Sequence, residues 1–263
     1  MPRVRSYLMI AATSLLVAGC ATGPKSDGPA ASTARKTAPA SSVAKSKTPK
    51  TKTACKVKKN VVSWKLIRGG CKNGYANGQG FAISVDRKRS YKGGFVEGRF
   101  SGKGKYNWGN GVRYTGEYLK GKKHGTGTLV YADGSNYVGQ FRNNIYHGQG
   151  TYTAANKSRY VGEFRNGLYH GQGAYRWRNG NRYVGEFRKN RMAGKGTFTW
   201  ANGEQYTGKF ENNMMNDAGV YTWPNGERYK GEFRNNRIDG EGAYRDAEGS
   251  IHGGEFEDGK KIE

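Results

Sequence analysis

The stretch YVGEFRNGLYHGQGAYRWRNGNR, residues 160–182, decides how this chain is read, because it is one of seven consecutive copies of a single 23-residue pattern. Tyrosines open the copies at Tyr91, Tyr114, Tyr137, Tyr160, Tyr183, Tyr206 and Tyr229 with no insertion between them, and the phase runs into His252, where an eighth copy starts and stops short. A fixed period of this length means a stacked array. Within a copy, aromatic and glycine positions alternate with polar ones, as at Tyr183, Gly185, Phe187 and again at Gly196, Phe198, Trp200. That is the period-two signature of strands, so each copy supplies two.

Turn chemistry marks where the strands meet. Between copies stand Asn110-Gly111, Asp133-Gly134, Asn179-Gly180, Asn202-Gly203 and Asn225-Gly226, pairs suited to a tight hairpin turn with positive φ. Asn156-Lys157 breaks that pattern, so a looser turn is expected there; the last copy has Glu248-Gly249. Within a copy, a longer loop is expected to join the two strands. Its first landmark is always glycine or asparagine, at Gly98, Gly121, Asn144, Gly167, Asn190, Asn213, Asn236 and Gly259. These two residues enter the left-handed region most readily. The loop ends in Gly-x-Gly, as in Gly125-Thr126-Gly127, and Asp217 replaces the first of these glycines in the sixth copy. Such glycines also leave room for aromatic rings to lie flat on the backbone.

The strings Tyr114-Thr-Gly-Glu-Tyr118, Tyr160-Val-Gly-Glu-Phe164 and Tyr183-Val-Gly-Glu-Phe187, each followed by spaced glycines, resemble the MORN (membrane occupation and recognition nexus) repeat. The resemblance covers residues 91–251 and implies an all-β fold, an elongated single-sheet antiparallel solenoid of β-hairpin repeats, used as an interaction surface and often placed beside membranes. At about 4.8 Å per strand the body would be roughly 80 Å long. The resemblance implies no single activity, and family members that are enzymes carry a separate catalytic domain.

Residues 1–19 have a basic start, Arg3 and Arg5, and an apolar run from Tyr7 to Ala18 that is too short to span a bilayer as a helix. They read as a signal peptide. Leu16-Val17-Ala18-Gly19-Cys20 resembles the bacterial lipobox, which makes Cys20 the expected lipidation site and the membrane the first expected partner. Ala21, rather than aspartate, follows it, which by analogy with bacterial sorting favours an outer-membrane anchor facing the periplasm. The alternative is an ordinary signal peptide with an incidental cysteine. Residues 20–59 are a basic Ala/Thr/Ser/Lys/Pro tether of charge +9, too poor in large apolar side chains to fold. Residues 60–90 supply a cap strand over Asn60–Ile67 and a degenerate copy with Gly69, Gly74, Gly78 and Gly80; residues 252–263 are the truncated eighth copy. Cys55 and Cys71 flank the cap strand. In an oxidising compartment they are a disulfide candidate worth about 3 kcal/mol; the alternative is two free thiols.

The net charge of +25 is uneven: residues 61–205 sum to +18 and residues 206–263 to −4. Attraction to an anionic surface, phospholipid or cell-wall polymer, is expected of the half nearest the leader, and a protein partner of the acidic end. Candidate anion-binding residues are Arg142, Arg159, Arg165, Arg182 and Arg188, on the face opposite the aromatics. The bland reading of that face is cross-strand ion pairing of Arg159 and Arg165 with Glu163, and of Arg182 and Arg188 with Glu186. The aromatic positions are expected to be core, with an open groove for a glycan or peptide as the alternative. A pI near 10.0 also fits nucleic acid, but a secretory leader argues against that partner. His124, His147 and His170 recur at one position, with no carboxylate or cysteine recurring beside them in a ligand pattern. No nucleophile with its base and no phosphate-loop motif stands out, so neither an enzyme nor a cofactor is expected.

Overall fold

The structure, a computed structural model, describes residues 55–58 and 63–262. The signal peptide, Cys20, the tether up to Ala54, and Val61 and Val62 of the expected cap strand lie outside the described residues. No helix among the described residues is long and apolar enough to cross a membrane. The strands are β1 (Trp64–Lys72), β2 (Tyr75–Ser84), β3 (Ser90–Val96), β4 (Arg99–Asn107), β5 (Arg113–Leu119), β6 (Lys122–Val130), β7 (Asn136–Arg142), β8 (Ile145–Thr153), β9 (Arg159–Arg165), β10 (Leu168–Arg176), β11 (Arg182–Arg188), β12 (Arg191–Thr199), β13 (Gln205–Glu211), β14 (Met214–Thr222), β15 (Arg228–Arg234), β16 (Arg237–Arg245), β17 (Ile251–Glu257) and β18 (Lys260–Lys261). Each pairs antiparallel with its neighbour in the chain, forming one open 18-stranded meander.

The Asn-Gly and Asp-Gly links are hairpin turns with a positive-φ glycine, as expected, but the tightest turns lie elsewhere. Inside a copy, β5 and β6 are joined by Lys120-Gly121 alone, with φ of 50° and 81°. Two successive left-handed residues make a type I′ turn, whose twist matches that of the flanking strands. The same pair of positive φ values recurs from Glu97-Gly98 to Asp258-Gly259, and includes every glycine or asparagine landmark. So the tight turn lies within the copy, and no longer loop exists there. Between copies, Gly134 N donates to Tyr131 O at 3.1 Å and Tyr131 N to Ser135 O at 2.9 Å, a type I turn closed by a left-handed glycine. Asp133 stays out of the left-handed region because its carboxylate accepts the Ser135 amide at 2.8 Å. Asn179 does the same for the Asn181 amide at 3.1 Å.

Asn156-Lys157 does not loosen its turn either. Asn156 Oδ1 accepts the Ser158 amide at 2.9 Å, and Lys157 itself takes φ 72°. A side chain held there is strained, so Lys157→Gly should raise stability by roughly 0.5–1 kcal/mol. The check is a urea midpoint that rises at constant slope; an unchanged or lower midpoint would contradict the strain.

The Gly-x-Gly motif lies in the middle of the second strand rather than at a loop end. The β5–β6 register slips between Gly116↔Gly127 and Glu117↔His124, leaving Gly125 and Thr126 as a bulge. Glu117 reaches across it, accepting the Thr126 amide at 2.9 Å and its hydroxyl at 2.8 Å. Those two bonds hold the Glu117 carboxyl below its usual range. In the sixth copy the acid has changed strands: Asp217 takes φ 56° at the bulge and pairs with Lys209, which stands where Glu117 stands.

The core is the aromatic face. The opening tyrosines are at most 1% exposed, and each donates its hydroxyl to the carbonyl three residues on, at 2.7 to 3.4 Å. Each ring lies over a facing pair of glycines, such as Gly162 and Gly173 beneath Tyr160. Each is also met edge-on by the aromatic of the next copy, Tyr160 by Phe187 at 5.1 Å and Tyr183 by Phe210 at 5.0 Å. Hairpin tips stitch the copies further: Asn190 N donates to Tyr169 O at 3.1 Å while Asn190 Oδ1 accepts Tyr169 N at 2.7 Å. Asparagine at the landmark therefore both turns the chain and binds its neighbour.

Both ends extend the array. Among the described residues the first strand runs Trp64–Lys72, and Asn73-Gly74 gives the degenerate copy the same type I′ turn, with φ of 52° and 75°. Trp64 closes the core edge-on against Phe100 and Tyr106, at 5.5 and 5.6 Å. A disulfide joins Cys55 to Cys71, and the next residues run along the hairpin tips, Lys56 N to Gly74 O at 2.8 Å and Lys58 N to Gly98 O at 2.7 Å. At the far end Lys260 and Lys261 begin a return strand against Glu257 and Phe256, so the eighth copy includes the start of its second strand.

Candidate binding face

Because the tyrosines cover only one side of the paired glycines, the other side is bare. Glycine faces glycine from strand to strand, Gly80 to Gly93 to Gly104 at one end and Gly219 to Gly231 to Gly242 at the other, so a backbone-floored groove follows the long axis of the sheet. One wall is built of small or β-branched side chains such as Thr115, Thr128, Val138 and Val161, the other of Glu117, Gln140, Glu163 and their equivalents. The groove deepens at two places. Toward the N-terminal strands a cavity of about 690 Å³ is lined by Lys92, Lys103, Lys105 and Glu117 with Gly93, Gly104 and Gly116. Toward the other end one of about 970 Å³ is lined by Glu241, Glu255 and Lys230 with Gly231, Gly242 and Gly254. The floor is the same and the charge of the walls differs.

The arginines predicted to bind anions share this face but form two margins. Arg142, Arg165 and Arg188 end β7, β9 and β11, while Arg159 and Arg182 begin β9 and β11. The expected pairing with Glu163 and Glu186 does not form. Among the described residues the Lys, Arg or His ion pairs with acids are Lys209–Asp217, Arg234–Asp239, Arg237–Asp258 and His252–Asp246, all in the acidic half. The glutamates instead lie over the bulge glycine of the neighbouring strand, as Glu163 does over Gly171. Between Arg159 and Arg182, and directly opposite both, stands Arg176. With Lys157 and Arg178 these three line a recess of about 510 Å³. Sequence reasoning passed over Arg176, Arg178 and Lys157. The available signal was their departure from most other copies, which carry Asn107, Val130, Thr153, Thr199 or Thr222 at the place of Arg176, with Arg245 repeating the arginine in the last copy opposite Arg228 alone.

Residues 91–113, 114–136, 137–159, 160–182, 183–205, 206–228 and 229–251 each match the MORN repeat, in the phase set by the opening tyrosines. The chain belongs to the MORN repeat family. No curated protein matches it. Similar solved structures include the TCP domain of SAS-4 (dCPAP) of Drosophila melanogaster in complex with a proline-rich motif of Ana2 (dSTIL), at 13% identity, TM-score 0.30, and 60% of this chain against 81% of that one. Another is the TCP10 domain of Danio rerio CPAP in complex with a peptide of STIL, at 12% identity, TM-score 0.30, and 76% of this chain against 98% of that one.

Two further features of the MORN rod bear on chemistry. His124, His147 and His170 stand opposite Glu117, Gln140 and Glu163 on the second strands of three successive copies. No three His, Cys, Asp or Glu side chains among the described residues are grouped to hold a metal ion. The C-terminal copies also carry a zigzag of rings in which half-buried Trp177, Trp200 and Trp223 alternate with buried Phe198 and Tyr221 at 4.6 to 5.3 Å. Most of the aromatic face is therefore core, and these tryptophans are its accessible edge.

Lys123 is the residue that the repeat pattern hides. It faces Tyr118 where Phe141 faces Tyr146 and Phe187 faces Met192, so it occupies a core position. Its Nζ sits 5.6 to 5.7 Å from the rings of Trp108, Tyr114 and Phe141. Burial pulls its pKa down to about 8. The folded state therefore releases this proton before the unfolded state does, and stability rises with pH between about 8 and 10. Attraction to the three rings offsets part of the desolvation, so Lys123→Met should add about 1–2 kcal/mol at pH 7. Paired melts of parent and variant from pH 7 to 10 test this, since the gain must shrink as pH rises; a constant difference would refute it. Above pH 10 both should weaken, because burial raises tyrosines such as Tyr106 to about 12.

Proposed function

We propose that this MORN protein is a non-catalytic, membrane-anchored lipoprotein whose rod binds or scaffolds at the periplasmic face of a bacterial outer membrane. The observation that carries the reading is the groove: one continuous, glycine-floored track on the uncovered face, with lysines near the leader end and glutamates at the far end. Such a track suits an extended partner or a polymer laid along it. Its basic half suits an anionic phospholipid surface and its acidic half a protein partner. The lipobox at Cys20 and the basic tether support the anchor, and lipid on Cys20 together with lysines near the surface would supply the two signals that stable attachment needs.

The test is fractionation with fatty-acid labelling of the full-length chain beside a Cys20→Ala variant. Label and membrane association should both disappear in the variant. A variant that keeps the label, or a parent recovered without it, would end the lipoprotein reading and leave a secreted binding rod.

A further inference from the structure

The recess between β9, β10 and β11 has a composition unlike the rest of the face. Arg159, Arg176 and Arg182 sit at the same level on three successive strands, Arg176 directly opposite both others. Lys157 and Arg178 come from the two links beside them. All five are exposed, and none has an ion-pair partner among the described residues. Glu163 and Glu186 are four residues along their strands, roughly 13 Å away. Like charges directly opposite one another weaken a sheet, so the grouping is not a device for stability.

The arrangement is also specific to this place. Lys157 occupies a position given to glycine in Gly111, Gly134, Gly180, Gly203 and Gly226, and holds φ 72° to do so. Arg178 stands where other copies have Ala132, Ala155, Ala201 or Pro224. The two links are fixed to one another, Arg178 N donating to the buried Ser158 Oγ at 3.2 Å. Strain and repulsion are thus retained at one site, on a framework already in place.

The geometry points to a binding site for a compact, multiply charged phosphate-bearing anion, held by the forks of Arg159, Arg176 and Arg182 with Lys157 and Arg178 at its rim. Guanidinium groups take phosphate oxygens two at a time, and three of them on a rigid sheet match a diphosphate better than a single charge. A recess of about 510 Å³ is of the size that holds a small ligand. The inference stands apart from the anchored-scaffold reading, which spreads anion contact over both margins of the face.

Sodium pyrophosphate titrated calorimetrically into the full-length protein at low salt is the test. The triple variant Arg159→Gln/Arg176→Gln/Arg182→Gln should lose at least about tenfold in affinity. The triple Arg142→Gln/Arg165→Gln/Arg188→Gln removes the same charge from the other margin of the same face and should bind as the parent does. Pyrophosphate should raise the melting temperature of the parent and of the second triple only. Should the first triple not fold, Arg176→Gln alone, at an exposed strand end, should still weaken binding more than Arg165→Gln. Phosphatidylglycerol vesicles identify the source: vesicle binding lost with the first triple places the phosphate on a lipid headgroup, and vesicle binding retained places it in solution. Equal losses in the two triples, or no pyrophosphate binding by the parent, would overturn the site.

Discussion

Tyr160→Ala should remove about 3–5 kcal/mol from the central copies, the range for deleting a fully buried aromatic ring. Tyr160 is 0% exposed, stacks on Tyr169 at 3.8 Å, and meets Phe164 and Phe187 edge-on at 5.1 Å. Its hydroxyl also donates to Glu163 O at 2.9 Å, so truncation leaves a void and removes a hydrogen bond at once. Phe187 belongs to the next copy, which means that the loss falls on an interface between copies as well as within one. In an array, stability is a sum of copies and nearest-neighbour interfaces. The expected outcome is therefore local. Hydrogen exchange should show amides of β8 to β11 losing protection while those of β4 and β15 keep theirs. Uniform loss along the rod would mean that the sheet folds as one cooperative unit, and the nearest-neighbour account would fail.

How far the sequence speaks depends on whether a residue acts through its own type or through a register. Strand content, the aromatic core and the left-handed landmarks were legible because seven copies act as their own alignment: Gly98, Asn144 and Asn190 share a place that admits no other type. Turn type was not legible. Both links carried turn residues, and the outcome was decided by the carboxylate or amide oxygen of Asp133, Asn156 and Asn179 bonding the amide two residues on, which keeps those residues out of the left-handed region. The bulge at Gly125-Thr126 shifts the register within each copy, and its glycines read equally well as a loop. Arg176 needed that register to be placed between Arg159 and Arg182. Lys123 needed the opposite treatment, since its substitution into a ring position is a single departure that averaging over copies removes.

The paired glycines give the other large effect. A methyl group added at Gly173 would lie 2.6 Å from Tyr160 Cε2 and Oη, closer than packed atoms ever come, and the ring has no free direction because Phe164, Tyr169 and Phe187 surround it. Backbone strain is not involved, since Gly173 is in an ordinary extended conformation. Gly173→Ala should therefore cost about 2–3 kcal/mol by overpacking alone. The same substitution made in the Tyr160→Ala background should cost almost nothing or stabilise, because alanine is the better strand residue by roughly 0.5–1 kcal/mol and the ring it would strike is gone. The double variant should then be less damaged than the sum of the two single variants by at least about 2 kcal/mol, a coupling measurable in a double-mutant cycle of urea midpoints. If the two costs simply add, the glycines serve something other than the tyrosine ring.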